Sequence, residues 1–269
     1  MRDHLHGSVR FVFQPAEEET GGGRRMVEKG LLDTEPRPAA VFALHGWPGV
    51  RLGSIASAPG PMLAAADRFT IRVTGKGTHG ARPHAGVDPV LTASQLVLAL
   101  QGVVSRSIDP LKPAVLSVCS IHGGRASNVI PTEVVMEGTT RYFDASLKDE
   151  LRRRMEEIVR GVCAAAGAAG SLEYEEGYIP LVNDAAMVGL AREVVEKRLG
   201  ASEWIEGIAP SMGAEDFAYY LGKVPGAFLR LGLGEGSADL HNPAFDFDDR
   251  ALRSGITIMC GLALEVLRR

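Results

Sequence analysis

The run Val9-Arg10-Phe11-Val12-Phe13-Gln14-Pro15-Ala16-Glu17-Glu18-Glu19 decides how this chain is read. Its apolar half predicts a strand over residues 8–14. The acidic half then stands at the strand's C-terminal end, where open α/β sheets gather their chemistry. Pro15 has no N–H to donate and stiffens the exit, so the carboxylates that follow are held on a bend. Neighbouring side chains point in different directions, which lets one carboxylate bind a metal while the next works as a base. Taken alone, the run also reads as a solvated acidic loop, the commoner fate of clustered charge.

Outward from this stretch, residues 24–29 predict a short helix stopped by Gly30. Residues 39–44 are continuously apolar, the mark of a strand buried on both faces, and they end in His45. A second strand ending in a potential ligand makes the first less of a coincidence. Near Ala66 the pattern changes. Residues 69–74 alternate as a half-exposed strand, and a glycine turn carrying His79 follows. Asp88 and Pro89 open a helix to about residue 105, and strands are expected at 114–121 and 133–142. A helix over 146–168 begins with a capping-box-like Ser146/Asp149 pair, and a strand at 172–178 completes the order β-α-β-β-α-β. That is a ferredoxin-like split unit inserted into another domain. Beyond Pro180, Asn183 is expected to cap a helix to residue 199. A short helix at Glu215-Asp216-Phe217, a strand at 227–231 and a final helix capped by Asp248 follow, with His241 in the loop before the last.

Composition excludes several classes. The 269 residues are 45% hydrophobic and 23% charged with a formal net charge of -4, as in an ordinary soluble globular protein. Neither nucleic acid nor an anionic membrane has an electrostatic claim on such a chain. No apolar run reaches membrane-spanning length, and the first residues do not begin a signal peptide. Cys119, Cys163 and Cys260 are odd in number and set in apolar periodic segments, so they read as buried thiols in a reducing cytoplasm. His4 and His6, near the terminus, read as solvated. Glu17, Glu18, His45 and His241 all fall at sheet ends, and carboxylate with imidazole is the ligand set of zinc, manganese or nickel hydrolases.

Seven motifs stand in order: Gln14-Pro15-Ala16-Glu17-Glu18, Ala43-Leu44-His45, Gly75-Lys76-Gly77-Thr78-His79, Asn128-Val129-Ile130-Pro131, Gly138-Thr139-Thr140-Arg141, Ala214-Glu215-Asp216-Phe217 and His241-Asn242-Pro243. Together they resemble the metal-dependent amidohydrolases of the aminoacylase, hippurate hydrolase and indole-acetyl-amino-acid hydrolase group, over essentially the whole chain. The resemblance implies an open α/β catalytic domain that binds two divalent metals, interrupted by a dimerisation or lid domain. It places the catalytic domain at residues 1–65 and 179–269 and the lid at 66–178. Glu17 resembles the general base, and Glu18, His45 and His241 resemble metal ligands. His79 resembles the histidine that reaches a partner subunit's active site and steadies the oxyanion, and Asn128 and Arg141 resemble the pair that holds the substrate carboxylate. An arginine fork with an amide donor suits a carboxylate. The implied activity is hydrolysis of N-acyl amino acids, in a cytoplasmic homodimer joined through the lid.

One departure is expected to matter. Members of this group carry an upstream His-Ala-Cys-Gly-His-Asp segment that supplies a cysteine and a histidine ligand, and no such segment precedes Gln14 here. The reading is therefore of a catalytic domain whose N-terminal part is missing. The alternative is a non-catalytic relic whose lid still dimerises and binds ligand.

Overall fold

A computed structural model describes residues 6–18 and 21–268. Contacts divide it into two compact units. The first holds Leu181–Ser211 and Glu215–Arg269 with the residues before Ala64; the second holds Ala64–Pro180 and Met212–Ala214.

The first unit begins with helix α1 (Gly22–Glu28) and strands β1 (Val41–Trp47), β2 (Ile55–Ala56) and β3 (Gly60–Leu63). The second contains β4 (Ala65–Thr74), β5 (Thr78–His79), α2 (Pro89–Gly102), β6 (Ala114–Gly123), β7 (Val129–Ile130), β8 (Glu133–Tyr142), α3 (Leu147–Ala165) and β9 (Ala169–Tyr178). The first resumes with β10 (Leu181–Asn183), α4 (Ala185–Arg198), β11 (Trp204–Ile205), α5 (Ala218–Leu221), β12 (Gly226–Gly232) and α6 (Leu252–Val266).

In the first unit β1 pairs parallel with β12, which pairs antiparallel with β2, and β11 lies parallel beyond it. Every residue of β12 is buried, and its two faces feed two cores as the twofold pleat requires. Ala227, Leu229 and Leu231 pack with Val194, Val195, Ile258 and Leu262 of α4 and α6. Phe228 packs on the other side with Met62, Leu181, Phe217 and Tyr220. Arg230 shares that second face. Its Nη1 and Nη2 donate to the carbonyls of Ala209 (2.9 Å) and Met62 (3.3 Å), and its guanidinium lies 3.9 Å from the Trp47 ring. Burial pushes its pKa down to about 10.

In the second unit the sheet order is β6-β8-β4-β9, all antiparallel. Each helix crossover therefore joins two strands that flank a third, the split arrangement expected from the element order. Phe69, Ile71 and Val73 of β4 meet Leu96 and Leu100 of α2 and Leu151, Met155 and Val159 of α3 in one core. Asp88 caps α2, its Oδ1 accepting from the amides of Val90 (2.8 Å) and Leu91 (3.2 Å).

Several expectations need correction. Residues 8–16 form no strand: no described segment pairs with them, and Phe11 and Phe13 stand 78% and 89% exposed. A strand cannot persist without partners for its backbone groups. His45 lies inside β1 rather than beyond it, and β1 is half-buried because it sits at one end of its sheet. Ser146 makes no capping bond, since its own backbone is already helical (φ −65°, ψ −20°); Asp144 accepts from the Ser146 amide instead. Asp184, not Asn183, caps α4. Asn183 is buried and clasps two strands, accepting from the Phe228 amide and donating to Ser57 and Ala58. Only Cys163 is buried; Cys119, at a bulge in β6, and Cys260, on the open face of α6, are exposed. Among the described residues no helix is long and apolar enough to cross a membrane.

A buried acid holds the second unit at a bulge between β4 and β9. Asp67 accepts from the hydroxyls of Tyr142 (2.7 Å) and Tyr174 (2.9 Å) and from the Gly177 amide (2.9 Å). Gly177 is needed there, because a Cβ would lie 1.9 Å from the Ala66 carbonyl oxygen. Asp67→Ala strands these donors and is expected to cost roughly 2–4 kcal/mol, with Asp67→Asn costing less. Urea unfolding measures this, and a loss under about 1 kcal/mol would mean that water replaces the carboxylate.

Candidate metal and acid–base site

The residues that follow the unpaired apolar segment are held by a turn rather than a strand. Ala16 takes a left-handed backbone (φ 55°), and the Gly22 amide returns to its carbonyl at 3.4 Å. The turn is clasped from outside by Asp216, just ahead of α5. Asp216 Oδ1 accepts from Gln14 Nε2 at 2.6 Å and Oδ2 accepts from the Gly23 amide at 2.7 Å. The glycines are a steric requirement: a Cβ on Gly22 would lie 1.7 Å from the Pro15 oxygen, and one on Gly23 would lie 2.9 Å from Asp216 Oδ1. Glu19 lies outside the described residues.

This clasp sets Glu17 among other acids. Glu17, Glu215 and Asp216 each place a carboxylate oxygen within 4.8 Å of the others. Burial pushes Glu215 up to about 7, with the charges of Glu17 and Asp216 adding to it. Glu17 is also raised, first by burial and then by Asp216 and Glu18, with His241 opposing. Three acids this close cannot all ionise without a proton or a cation among them. Each oxygen of Asp216 accepts one hydrogen bond, from Gln14 and from the Gly23 amide, which ties it to both ends of the turn. Glu215 Oε1 accepts from the Phe217 amide at 3.1 Å.

Glu18 and His241 are brought together on the open side, with His241 Nδ1 4.0 Å from Glu18 Oε2 and both side chains largely exposed. His241 also has a left-handed backbone (φ 64°). Among the described residues, Ala16 and His241 are the non-glycine positions with positive φ. Such strain concentrates where a side chain must be aimed. His45 does not join the carboxylate group. Its Nδ1 lies 2.8 Å from the Gly46 carbonyl, flanked by the Trp47 and Phe228 rings. A carbonyl can only accept, so Nδ1 carries the proton and Nε2 presents its lone pair, the arrangement of a metal-ligating imidazole. Imidazole and carboxylate donors of this kind fit a divalent cation such as zinc or manganese.

In the second unit, the pairing of β5 with β7 sets His79 opposite Val129, and the Gly80 amide donates to the Asn128 carbonyl at 2.7 Å. His79 Nδ1 accepts from the Ala81 amide at 3.1 Å, so its proton sits on Nε2. His79 is thus a donor where His45 is an acceptor. Asn128 is exposed. Arg141 stands on β8 between Ala66 and Val115, half-buried, its Nη1 donating to Thr139 Oγ1 and to the Thr140 carbonyl. Burial lowers its pKa. The β5–β7 ladder pairs His79 with Val129, the residue after Asn128, and Arg141 is outside that ladder. Sequence reasoning gave Glu215 and Asp216 no role. Their signal was two adjacent acids entering a short helix amid apolar residues.

The sequence model of peptidase family M20/M25/M40 matches residues 1–265. The chain belongs to that family. The N-acetyl-L-cysteine deacetylase of Bacillus subtilis (strain 168) is 41% identical over 251 residues, which cover 93% of this chain and 59% of that relative. The N-acyl-L-amino acid amidohydrolase of Geobacillus stearothermophilus is 44% identical over 184 residues, covering 68% of this chain and 49% of its own length. Among solved structures, the Bacillus subtilis YXEP protein, described as a dinuclear metal binding peptidase of the M20 family, superposes with a TM-score of 0.82 at 32% identity. That match covers 99% of this chain and 67% of the other. The chain therefore spans 59% of the deacetylase and two thirds of the solved M20 relative.

The M20 acid cluster has a consequence for stability without added metal. Glu215 holds its proton more tightly folded than unfolded, so its contribution is full below its ordinary value of 4.5 and is lost as pH rises to about 7. Glu17 acts in the same direction. Thermal midpoints of the metal-free chain should fall across that window, and Glu215→Gln should flatten the fall. A variant that keeps the full slope of the unsubstituted chain would remove Glu215 as its source.

Proposed function

We propose that this chain belongs to a metal-dependent amidohydrolase that cleaves the amide bond of N-acyl amino acids, giving a carboxylate and a free amino acid. The observation that carries this reading is the clasped turn, which holds Glu17 among buried acids and leaves Glu18 beside His241. The deacetylase and amidohydrolase names of the relatives support it. Glu18, His45 and His241 would hold the cation, zinc, manganese or nickel, with two in a complete site. When bound, such a cation polarises a carbonyl and acidifies water.

The chain's own residues supply the rest. Glu17, half-buried and with its proton affinity raised, accepts a proton from the attacking water and returns it to the departing amine nitrogen. The Nε2–H of His79 is suited to donate to an oxyanion, and in a homodimer it would serve the partner copy. Asn128 and Arg141 would recognise the substrate carboxylate. Exposed free thiols at Cys119 and Cys260 favour the reducing cytoplasm as its compartment.

The test is release of free amino acid from N-acetyl and N-benzoyl amino acids with added zinc, manganese or nickel. Glu17→Gln is expected to lower turnover about 10²–10⁴-fold while cation binding persists. Glu18→Ala and His241→Ala are expected to lose bound cation, and full metal content in both would overturn the ligand assignment. For the dimer, the surface favoured is β6, an end strand of its sheet with Ile121 exposed. Sedimentation should give a dimer that Ile121→Lys weakens; a monomer at all concentrations would exclude it.

A further inference from the structure

Asp216 is fully buried, yet the chemistry above does not use it. We propose that Asp216 is a positioning residue: it acts through Gln14 and Gly23 to hold the turn that presents Glu17 and Glu18, and so sets the cation affinity of the site. The inference rests on the reading of Glu17 and Glu18 as base and ligand.

Three observations converge. The Asp216 carboxylate bridges the two ends of the turn, taking Gln14 Nε2 at 2.6 Å on one oxygen and the Gly23 amide at 2.7 Å on the other. The turn between them contains a left-handed alanine, Ala16, a conformation that persists only where the surroundings enforce it. Gly23 leaves no room for Asp216 to move closer or for a side chain to intervene, since a Cβ there would meet Asp216 Cγ at 2.9 Å. A buried carboxylate is costly to desolvate, and two donors placed on opposite sides of one turn offset that cost only while the turn keeps its shape. Before the turn, residues 8–13 pair with no described strand, and the Arg10 guanidinium tethers them by donating to the carbonyls of Leu31, Thr34 and Pro36.

The bond to Gln14 has a direction, and that direction supplies the test. Gln14→Glu sets a second carboxylate against Asp216 and should open the turn. Adding Asp216→Asn restores the bond with donor and acceptor exchanged, while the oxygen of the introduced side-chain amide still accepts from Gly23. Gln14→Leu, at a half-buried position that the core does not need, removes the bond without adding charge.

Two readouts are taken on the full chain: Mn²⁺ affinity by titration, and amide hydrogen exchange at Gly22 and Gly23. Expected are a loss of about 10–100-fold in affinity for Gln14→Glu, a smaller loss for Gln14→Leu, and recovery in the double variant. Exchange at Gly23 should quicken and recover in the same order. A structural defect elsewhere would not be repaired by the swap. Unchanged affinity and exchange in folded Gln14→Glu, or no recovery in the double variant, would overturn the proposal. If Gln14→Glu does not fold, Gln14→Leu decides by the same two measurements. If the unsubstituted chain binds no Mn²⁺, the metal reading fails, and loss and recovery of Gly23 protection alone decide whether Asp216 positions the turn.

Discussion

A carboxylate withdrawn from water must be met by donors, and each unit of this chain contains one that is. In the first unit Asp216 is met by Gln14 and the Gly23 amide, residues about two hundred positions away in sequence. In the second, Asp67 is met by Tyr142, Tyr174 and the Gly177 amide across the β4–β9 bulge. Each acid draws together segments that local propensity would leave apart. Each also depends on a glycine whose missing Cβ lets backbone and carboxylate approach. Hydrophobic burial brings the strands and helices into contact without direction. These charge-assisted bonds supply direction at the places where chemistry is proposed.

The two histidines show how little is needed to give one side chain opposite roles. His45 faces its neighbour's carbonyl, so its proton is fixed on Nδ1 and Nε2 is left to accept. His79 faces a backbone amide, so Nδ1 accepts and the proton moves to Nε2. A lone-pair acceptor at Nε2 and a donor at Nε2 therefore come from the same imidazole through one backbone hydrogen bond each. The acids follow the same logic. Asp216 accepts from Gln14 and the Gly23 amide, Glu215 is pushed up to about 7 by burial, and Glu17 beside them has its proton affinity raised. Neighbouring groups whose environments differ are the physical basis for separate acid and base roles.

Local preference was overridden by a missing neighbour, by a tertiary contact or by the backbone's own turn. Residues 9–13 are apolar enough to read as a strand, but no described strand pairs with their backbone. Asn183 carries a good capping side chain, yet its amide is drawn into the buried clasp with Phe228 and Ser57, and Asp184 caps the helix instead. Ser146 lost its capping role because its own backbone had already turned helical. Cys119 was read as buried from its apolar surroundings, but a bulge in an end strand turns it outward.

The sequence by itself determined the local and periodic properties. These include the βαββαβ order of the second unit, the existence of β12, the Asp88 cap and the family. These follow from patterns within a few residues or from motifs in fixed order. Tertiary structure alone decided which acids cluster, that Asp216 meets Gln14 and the Gly23 amide, and that Ala16 and His241 take left-handed backbones. Gln14 and Asp216 are separated by 202 positions and meet at 2.6 Å. Nothing in the spacing of two polar residues reveals such a meeting. It exists only once the intervening chain has packed its cores and brought the ends of the turn to one buried carboxylate.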